Sequence, residues 1–237
     1  MGARLLRSAL TEPEQRWLYS ELLRIDNGST AAHLRETASD EIQEQLGRRP
    51  QQFLTHLHPY TRESTTTEPP TGLMRWAQGL LDALAPADHG QRVDSMLAQL
   101  YAKGGSLLPH VDADLGWGLQ VSLGGTAIFD CLPAGAEAVR VHIRSGDVLV
   151  GAFGTMRHAV RVLQKDSAPQ WWRTAVDNRG RERCNVLFRQ ALSVERMREL
   201  AEERARAQHG MSLEELMRRT GKDEGYLSAA LRHTAVE

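Results

Sequence analysis

The chain has 237 residues, 41% of them hydrophobic and 25% charged, with 29 Lys and Arg against 30 Asp and Glu. This near-cancellation excludes a polybasic nucleic-acid coat and an acidic tail protein, and the composition excludes a disordered, collagen-like or coiled-coil chain. Cys131 and Cys184 are the only cysteines; they are too few for a disulfide framework and lack the paired spacing of a zinc site, which points to a reducing compartment.

In chain order, Thr11-Glu-Pro-Glu14 opens a helical pattern, with Thr11 as N-cap and Trp17, Leu18, Leu22 and Leu23 recurring at helical spacing. Residues 26–72 are polar and poorly periodic, ending in Arg62-Glu-Ser-Thr-Thr-Thr-Glu-Pro-Pro70, and read as a long exposed loop of the kind that carries function. A second helix is expected from Leu73 to about Leu84, with Leu73, Trp76, Leu80 and Leu84 on one face. The period then changes to two. Short alternating segments run over Ser95–Tyr101, Leu107–Asp112, Trp117–Leu123, Ala127–Cys131, Val139–Arg144, Asp147–Ala152, His158–Leu163 and Asn185–Gln190, separated by Gly, Pro and Ser turns. Strands of this number and length imply a sandwich or jelly roll. After Leu192 the pattern is helical to the C-terminus. No run approaches the roughly 18 apolar residues of a membrane span, and Glu12 and Glu14 come too early for a secretory signal. The expected setting is cytoplasmic, or nuclear or organellar in a eukaryote.

Three features carry chemistry. In a strand, residues i and i+2 project from one face, so His110-Val-Asp112 can converge on a single ion, although the tripeptide alone equally suits a surface or turn pair. His158 supplies a third donor 48 residues later, giving the two-His, one-carboxylate set that leaves positions open on non-haem Fe(II); a histidine on an apolar strand also suits a satisfied core. In Arg183-Cys-Asn-Val-Leu-Phe-Arg189 the even positions are apolar, while the odd positions present Arg183, Asn185 and Arg189. Such a face suits bidentate grip on a carboxylate, or else a solvated edge strand. Gln99 and Tyr101 share a parity and can point polar groups at one cavity.

Together these stretches resemble the AlkB-type Fe(II)/2-oxoglutarate dioxygenases. The resemblance covers about residues 95–191, in the family's order: Leu100-Tyr-Ala-Lys-Gly-Gly-Ser-Leu-Leu-Pro-His-Val-Asp-Ala-Asp114, Val121-Ser-Leu-Gly-Gly-Thr-Ala-Ile-Phe129, Ser145-Gly-Asp-Val-Leu149, His158-Ala-Val and Arg183–Gln190. It implies an α+β chain built on a double-stranded β-helix (jelly roll), with residues 1–94 as N-terminal helices and substrate lid, 95–191 as the dioxygenase core and 192–237 as a helical extension. It implies Fe(II) held by His110, Asp112 and His158. The 2-oxoglutarate co-substrate is implied to be held by Arg183 and Tyr101 at its distal carboxylate, with Arg189, Asn185 and Gln99 near its other end, and dioxygen to be the oxidant. It further implies oxidative demethylation of an alkylated nucleic-acid base, in DNA repair or RNA modification, with Asp114 as acceptor for the base's exocyclic amine. A 2-oxoglutarate-dependent hydroxylase or demethylase acting on a protein or small molecule is the alternative.

The substrate side is less marked. Tyr60, in Leu57-His-Pro-Tyr-Thr61, is a candidate stacking group, as are Trp171 and Trp172, which suit a stacking platform or a core equally. Residues 157–189 carry eight basic groups against three acidic ones, a local surplus suited to phosphate contacts or to a solvated rim. The tail from Met211 looks like the helix-turn-helix of lambda-repressor-type domains, with Ser212 capping a helix that Gly221 ends. The eight basic and nine acidic residues of the whole segment 192–237 argue against strong DNA contact, leaving DNA or a protein partner as readings for these helices.

Overall fold

Apolar–polar alternation in the central strands resolves, in the computed structural model, into two antiparallel sheets. The structure describes residues 2–25, 51–57, 59, 64, 69–112, 115–132, 137–163, 165–175, 181–224 and 227. The larger sheet is ordered β1 (Ala3–Leu6), β8 (Val148–Gly151), β5 (Gly118–Gly124), β10 (Arg183–Arg189), β3 (Ser95–Tyr101) and β2 (Gln51–His56). The smaller is ordered β4 (Ser106–His110), β9 (His158–Val162), β6 (Ala127–Cys131) and β7 (Val139–Ile143). Apart from the consecutive pair β6 and β7, neighbours in each sheet are distant in sequence, the connectivity of a jelly roll.

Each face of the larger sheet has its own partner because β-strand side chains alternate. Cys184, Val186 and Phe188 of β10 point one way with Met96, Ala98, Leu100, Leu119, Val121 and Leu123. They pack against α1 (Glu12–Ile25), α2 (Thr71–Leu84) and the short α3 (Gln170–Arg173). The opposite face looks toward the smaller sheet across Tyr101, Phe129, Ile143, Leu149, Phe153, Val160 and Val162. Helix α1 begins as expected: the Glu14 carboxylate accepts hydrogen bonds from the Thr11 backbone N–H at 2.7 Å and from its hydroxyl at 2.6 Å, so the Glu half of a capping box is made.

Two strands lie outside the expected set. β1 is four residues long, and β2 lies inside the stretch read as loop, where Gln51, Gln52 and Thr55 hide the alternation. A register shift between Gln52 and Leu54 further breaks its period against β3.

The described residues divide into two units, those up to Ala191 and those from Leu192 on. The second contains α4 (Val194–His209) and α5 (Leu213–Thr220), packed through Ala201, Ala205, Leu213, Leu216 and Leu227. Ser193 and Ser212 accept hydrogen bonds from the backbone N–H groups of Arg196 and Glu215, each at 3.1 Å, and Gly221 closes α5 in the left-handed region.

The tandem tryptophans correct the stacking-platform expectation. Trp171 is 3% and Trp172 1% exposed, on the helix-covered face of the large sheet, with Trp172 against Tyr19 at 4.8 Å and its Nε1 donating to the Arg181 carbonyl at 2.9 Å. Burying two indoles in the main core leaves neither open to a base. Trp172→Ala should therefore lower unfolding stability by about 3–5 kcal/mol, as truncations of buried aromatics do. Denaturant unfolding checks this; an unchanged midpoint would contradict the core assignment.

Candidate metal centre

Strand β4 ends at His110, which lies opposite His158 of β9 in the register, after an irregularity following Leu107. The extended Pro-His-Val-Asp run expected from parity stops there, and Asp112 belongs to the loop that follows. It nevertheless turns back toward the histidines, because its backbone N–H donates to the Phe153 carbonyl at 3.0 Å and its own carbonyl accepts from Leu115 at 3.1 Å. One donor atom from each of His110, Asp112 and His158 lies within 4.8 Å of the others.

The imidazoles are held from behind. His110 Nδ1 bonds the Leu108 carbonyl at 2.7 Å and His158 Nδ1 bonds the Met156 carbonyl at 2.9 Å. A carbonyl only accepts, so each Nδ1 carries the proton and each neutral ring keeps its Nε2 lone pair for the cavity. Phe129 stacks on His158 at 5.3 Å, and Phe153 meets the same ring edge-on at 5.3 Å, which fixes the ring plane.

Electrostatics follow from burial and from one cation. Burial pushes the Asp112 carboxyl up, but Arg189, with His110 and His158, outweighs it and holds the group at about 2. Burial pulls His158 down to about 4 against the attraction of Asp112, so its imidazole is neutral near pH 7. Burial also pulls His110 down, yet its bond to Asp112 prevails and leaves it above the usual histidine value. His110 Nε2 lies 3.4 Å from Asp112 Oδ1.

The inner face of the large sheet supplies the second half of the site. Register places Arg183 beside Tyr101 and Asn185 between Gln99 and Ser122. Arg183, Asn185, Arg189, Tyr101, Gln99, Ser122 and Gln120 are all buried. Arg183 donates from Nε to Ser122 Oγ at 3.1 Å and from Nη2 to Asn185 Oδ1 at 3.0 Å, and its guanidinium lies over the Tyr101 ring at 5.2 Å. Asn185 donates to Gln120 Oε1 at 3.3 Å, and Tyr101 donates to Gln99 Oε1 at 3.1 Å. Burial pushes the Tyr101 phenol up to about 12, keeping it a proton donor.

Arg189 reaches the metal-side cluster. Its guanidinium sits 4.4 Å over Phe153, with Nη2 2.5 Å from Asp112 Oδ2, an ion pair not aligned as a hydrogen bond. Nη1 and Nη2 of Arg189 and Nη1 of Arg183 are buried with no hydrogen-bond partner among the described residues. Leaving a buried donor such as Arg183 Nη1 or Arg189 Nη1 unmet costs about 1–3 kcal/mol, and a carboxylate ligand would relieve it.

The eight residues expected to hold metal and co-substrate thus come together in one unit. Gln120, Ser122 and Phe153 join them unanticipated. The first two had a signal, since they are the polar positions alternating with Leu119, Val121 and Leu123 in β5, the same period that exposed β10. Phe153 had none, because its packing depends on a turn. Tyr60 and Asp114 lie outside the described residues.

No family model matches the chain, and no curated protein matches it. Among solved structures it is similar to that of OsALKBH1, an AlkB homologue, with a TM-score of 0.54 and 21% identity over 80% of this chain and 96% of that one. It is also similar to a 2OG-Fe(II) oxygenase family oxidoreductase from Burkholderia pseudomallei, with a TM-score of 0.52 and 13% identity over 80% of this chain and 84% of that one. The chain shares the jelly-roll fold of these oxygenases. No described helix is long and apolar enough to cross a membrane.

Proposed function

We propose that this chain is an Fe(II)- and 2-oxoglutarate-dependent dioxygenase of AlkB type that oxidatively demethylates an alkylated base of DNA or RNA. One observation carries the reading: the His110, Asp112 and His158 cluster lies in one unit with a buried polar row in which Arg183 Nη1 and Arg189 Nη1 have no hydrogen-bond acceptor among the described residues. Two imidazole nitrogens and one carboxylate are the donor set of non-haem Fe(II) sites that keep open positions, and the unmet guanidinium donors suit a dicarboxylate. The residues therefore fit both groups.

In this assignment His110 and His158 bind iron through Nε2, because each Nδ1 is already committed to a carbonyl. Asp112, ionised far below neutral pH, brings the negative charge. Arg183 pairs with the distal carboxylate of 2-oxoglutarate, and the protonated Tyr101 hydroxyl donates beside it. Asn185, Gln99 and Arg189 line the near end, where one guanidinium faces both Asp112 and the co-substrate. With iron, 2-oxoglutarate and dioxygen bound, the centre would couple decarboxylation to succinate with hydroxylation of an N-methyl group, which then leaves as formaldehyde. Phe129, Phe153 and Val160 keep water from the rear of the site.

A base within a duplex must be extruded to reach such a centre. We assign its stacking to Tyr60, its exocyclic amine to Asp114, and phosphate contacts to the basic surplus of residues 157–189. A panel of methylated oligonucleotides with a histone peptide, read by mass spectrometry for formaldehyde and succinate, tests this. Formaldehyde from an oligonucleotide supports the reading. Succinate without it, in the presence of every oligonucleotide, overturns the nucleic-acid assignment and keeps the dioxygenase.

A second reading is favoured by two exposed apolar residues next to His110 in sequence. Leu108 is 71% and Val111 41% exposed, flanking His110 in sequence. Exposed apolar surface there suits a protein side chain or an uncharged small molecule as substrate.

Residues 192–237 are proposed as an appendage whose helices contact DNA or a protein partner. Deleting Ser193–Glu237 should leave a folded chain that still forms succinate. Loss of folding by circular dichroism would place the tail in the core instead.

A further inference from the structure

The turn between β8 and β9 serves both the Asp112 loop and His158 of the metal centre. Its Phe153 carbonyl accepts the backbone N–H of Asp112 at 3.0 Å, and its Met156 carbonyl accepts Nδ1 of His158 at 2.9 Å. A third bond ties the loop and turn together, from Gly154 N–H to the Gly116 carbonyl at 3.1 Å. Asp112 and Gly116 bracket the loop, so the turn grips it at both ends. The turn is itself braced by hydrogen bonds to the Ala152 carbonyl from Thr155 and Met156, at 3.0 and 2.9 Å, and by Ala152 N–H donating to Gly2 at 2.9 Å.

The grip depends on the absence of a side chain. A Cβ on Gly154 would lie 2.5 Å from the Gly116 nitrogen, 3.1 Å from its Cα and 3.3 Å from the Leu115 nitrogen. All three are backbone atoms, which cannot swing aside as the end of a side chain does. Gly154 does not have a positive φ, so its residue type is set by this approach and not by backbone conformation. The loop is also tied on its other side, where Trp117 N–H donates to Gln91 Oε1 at 3.2 Å.

We infer that Gly154 is a positioning residue for the metal: its contact with Gly116 sets the separation between the Asp112 carboxylate and His158. A methyl group there pushes the Asp112 loop off the turn and spreads the three donors while leaving their identities intact. The inference rests on the iron reading above and concerns a residue that touches neither iron nor co-substrate.

The test compares wild type, Gly154→Ala, Asp112→Ala and Gly79→Ala, using Mn(II) as a stand-in for Fe(II) and paramagnetic resonance of the free ion as readout. Gly79 is the control, since a Cβ there meets nothing within 4 Å. Gly154→Ala should weaken Mn(II) binding about 10–100-fold, the range for losing a group that orients a ligand, with Gly79→Ala unchanged. The KM for Fe(II) should rise with kcat largely recovered at saturating Fe(II), which general loss of structure would not produce. Equal Mn(II) affinity in Gly154→Ala and wild type overturns the inference while the iron reading stands. Failure of wild type to bind Mn(II) any better than Asp112→Ala overturns both. Should Gly154→Ala not fold, hydrogen exchange on the wild type decides. The Asp112 and Gly154 amides should be protected together and further slowed by Mn(II), and fast exchange of either in the Mn(II)-loaded protein overturns the inference.

Discussion

Asp112→Ala is expected to abolish iron-dependent succinate formation. The substitution removes one of three donors and the only negative charge among them, so Mn(II) or Fe(II) affinity should fall by more than the roughly 10–100-fold typical of losing a supporting residue. It also strips Arg189 of its 2.5 Å partner. Breaking a buried ion pair from one side costs about 3–5 kcal/mol, so the metal-free variant should also unfold at lower denaturant. Asp112→Asn separates the effects: its amide oxygen still faces Arg189, which retains more stability, while charge neutralisation still lowers metal affinity. In wild type, His110 lies above its ordinary range through Asp112, and a metal must displace that proton. Affinity should therefore rise with pH across the histidine range. Full turnover in Asp112→Ala would remove Asp112 from the centre.

Arg183→Ala should weaken 2-oxoglutarate binding far more than metal binding. A charge-assisted hydrogen bond in a buried site contributes about 1.5–3 kcal/mol, so losing a bidentate contact corresponds to a rise of roughly 100-fold or more in KM for the co-substrate. Mn(II) affinity should stay within a few-fold of wild type, because Arg183 bonds Ser122 and Asn185 and none of the three donors. Arg183→Lys should restore little, since an ammonium cannot span two carboxylate oxygens in the plane that a guanidinium occupies. Calorimetry of 2-oxoglutarate binding to the Mn(II)-loaded protein measures the split. An unchanged co-substrate affinity would move the anion site elsewhere.

What was legible in the sequence follows from how each element is held. β3 and β10 are central strands with one apolar and one polar face, so the two-residue period shows both their boundaries and the side on which Arg183, Asn185, Gln99 and Tyr101 meet. β1 and β2 are edge strands whose placement comes from pairing with β8 and β3, and tertiary pairing leaves little mark on four or six residues. The pair His110 and His158 was accessible through motif and parity. Asp112 was found for a partly mistaken reason, since the strand stops two residues before it and a backbone bond to Phe153 completes the approach. Trp171 and Trp172 misled because their neighbours are polar, while the surface that buries them comes from α1 and from the far side of the large sheet. Gly154 is one of 20 glycines, and only the distance to Gly116 distinguishes it.

The position of β10 also bears on how the chain is assembled. It is the last strand in sequence among the described residues and lies between β5 and β3, so both neighbours wait for a partner that emerges more than 50 residues after the later of them. Until residue 189 has been synthesised, the large sheet exists only as separate halves with open edges, the condition under which strands find wrong partners. Closure over such separations is slow relative to local helix formation. The segment proposed to grip the co-substrate is thus also the one that joins the two halves, and a chain cut short before it would lose the barrel together with its anion site.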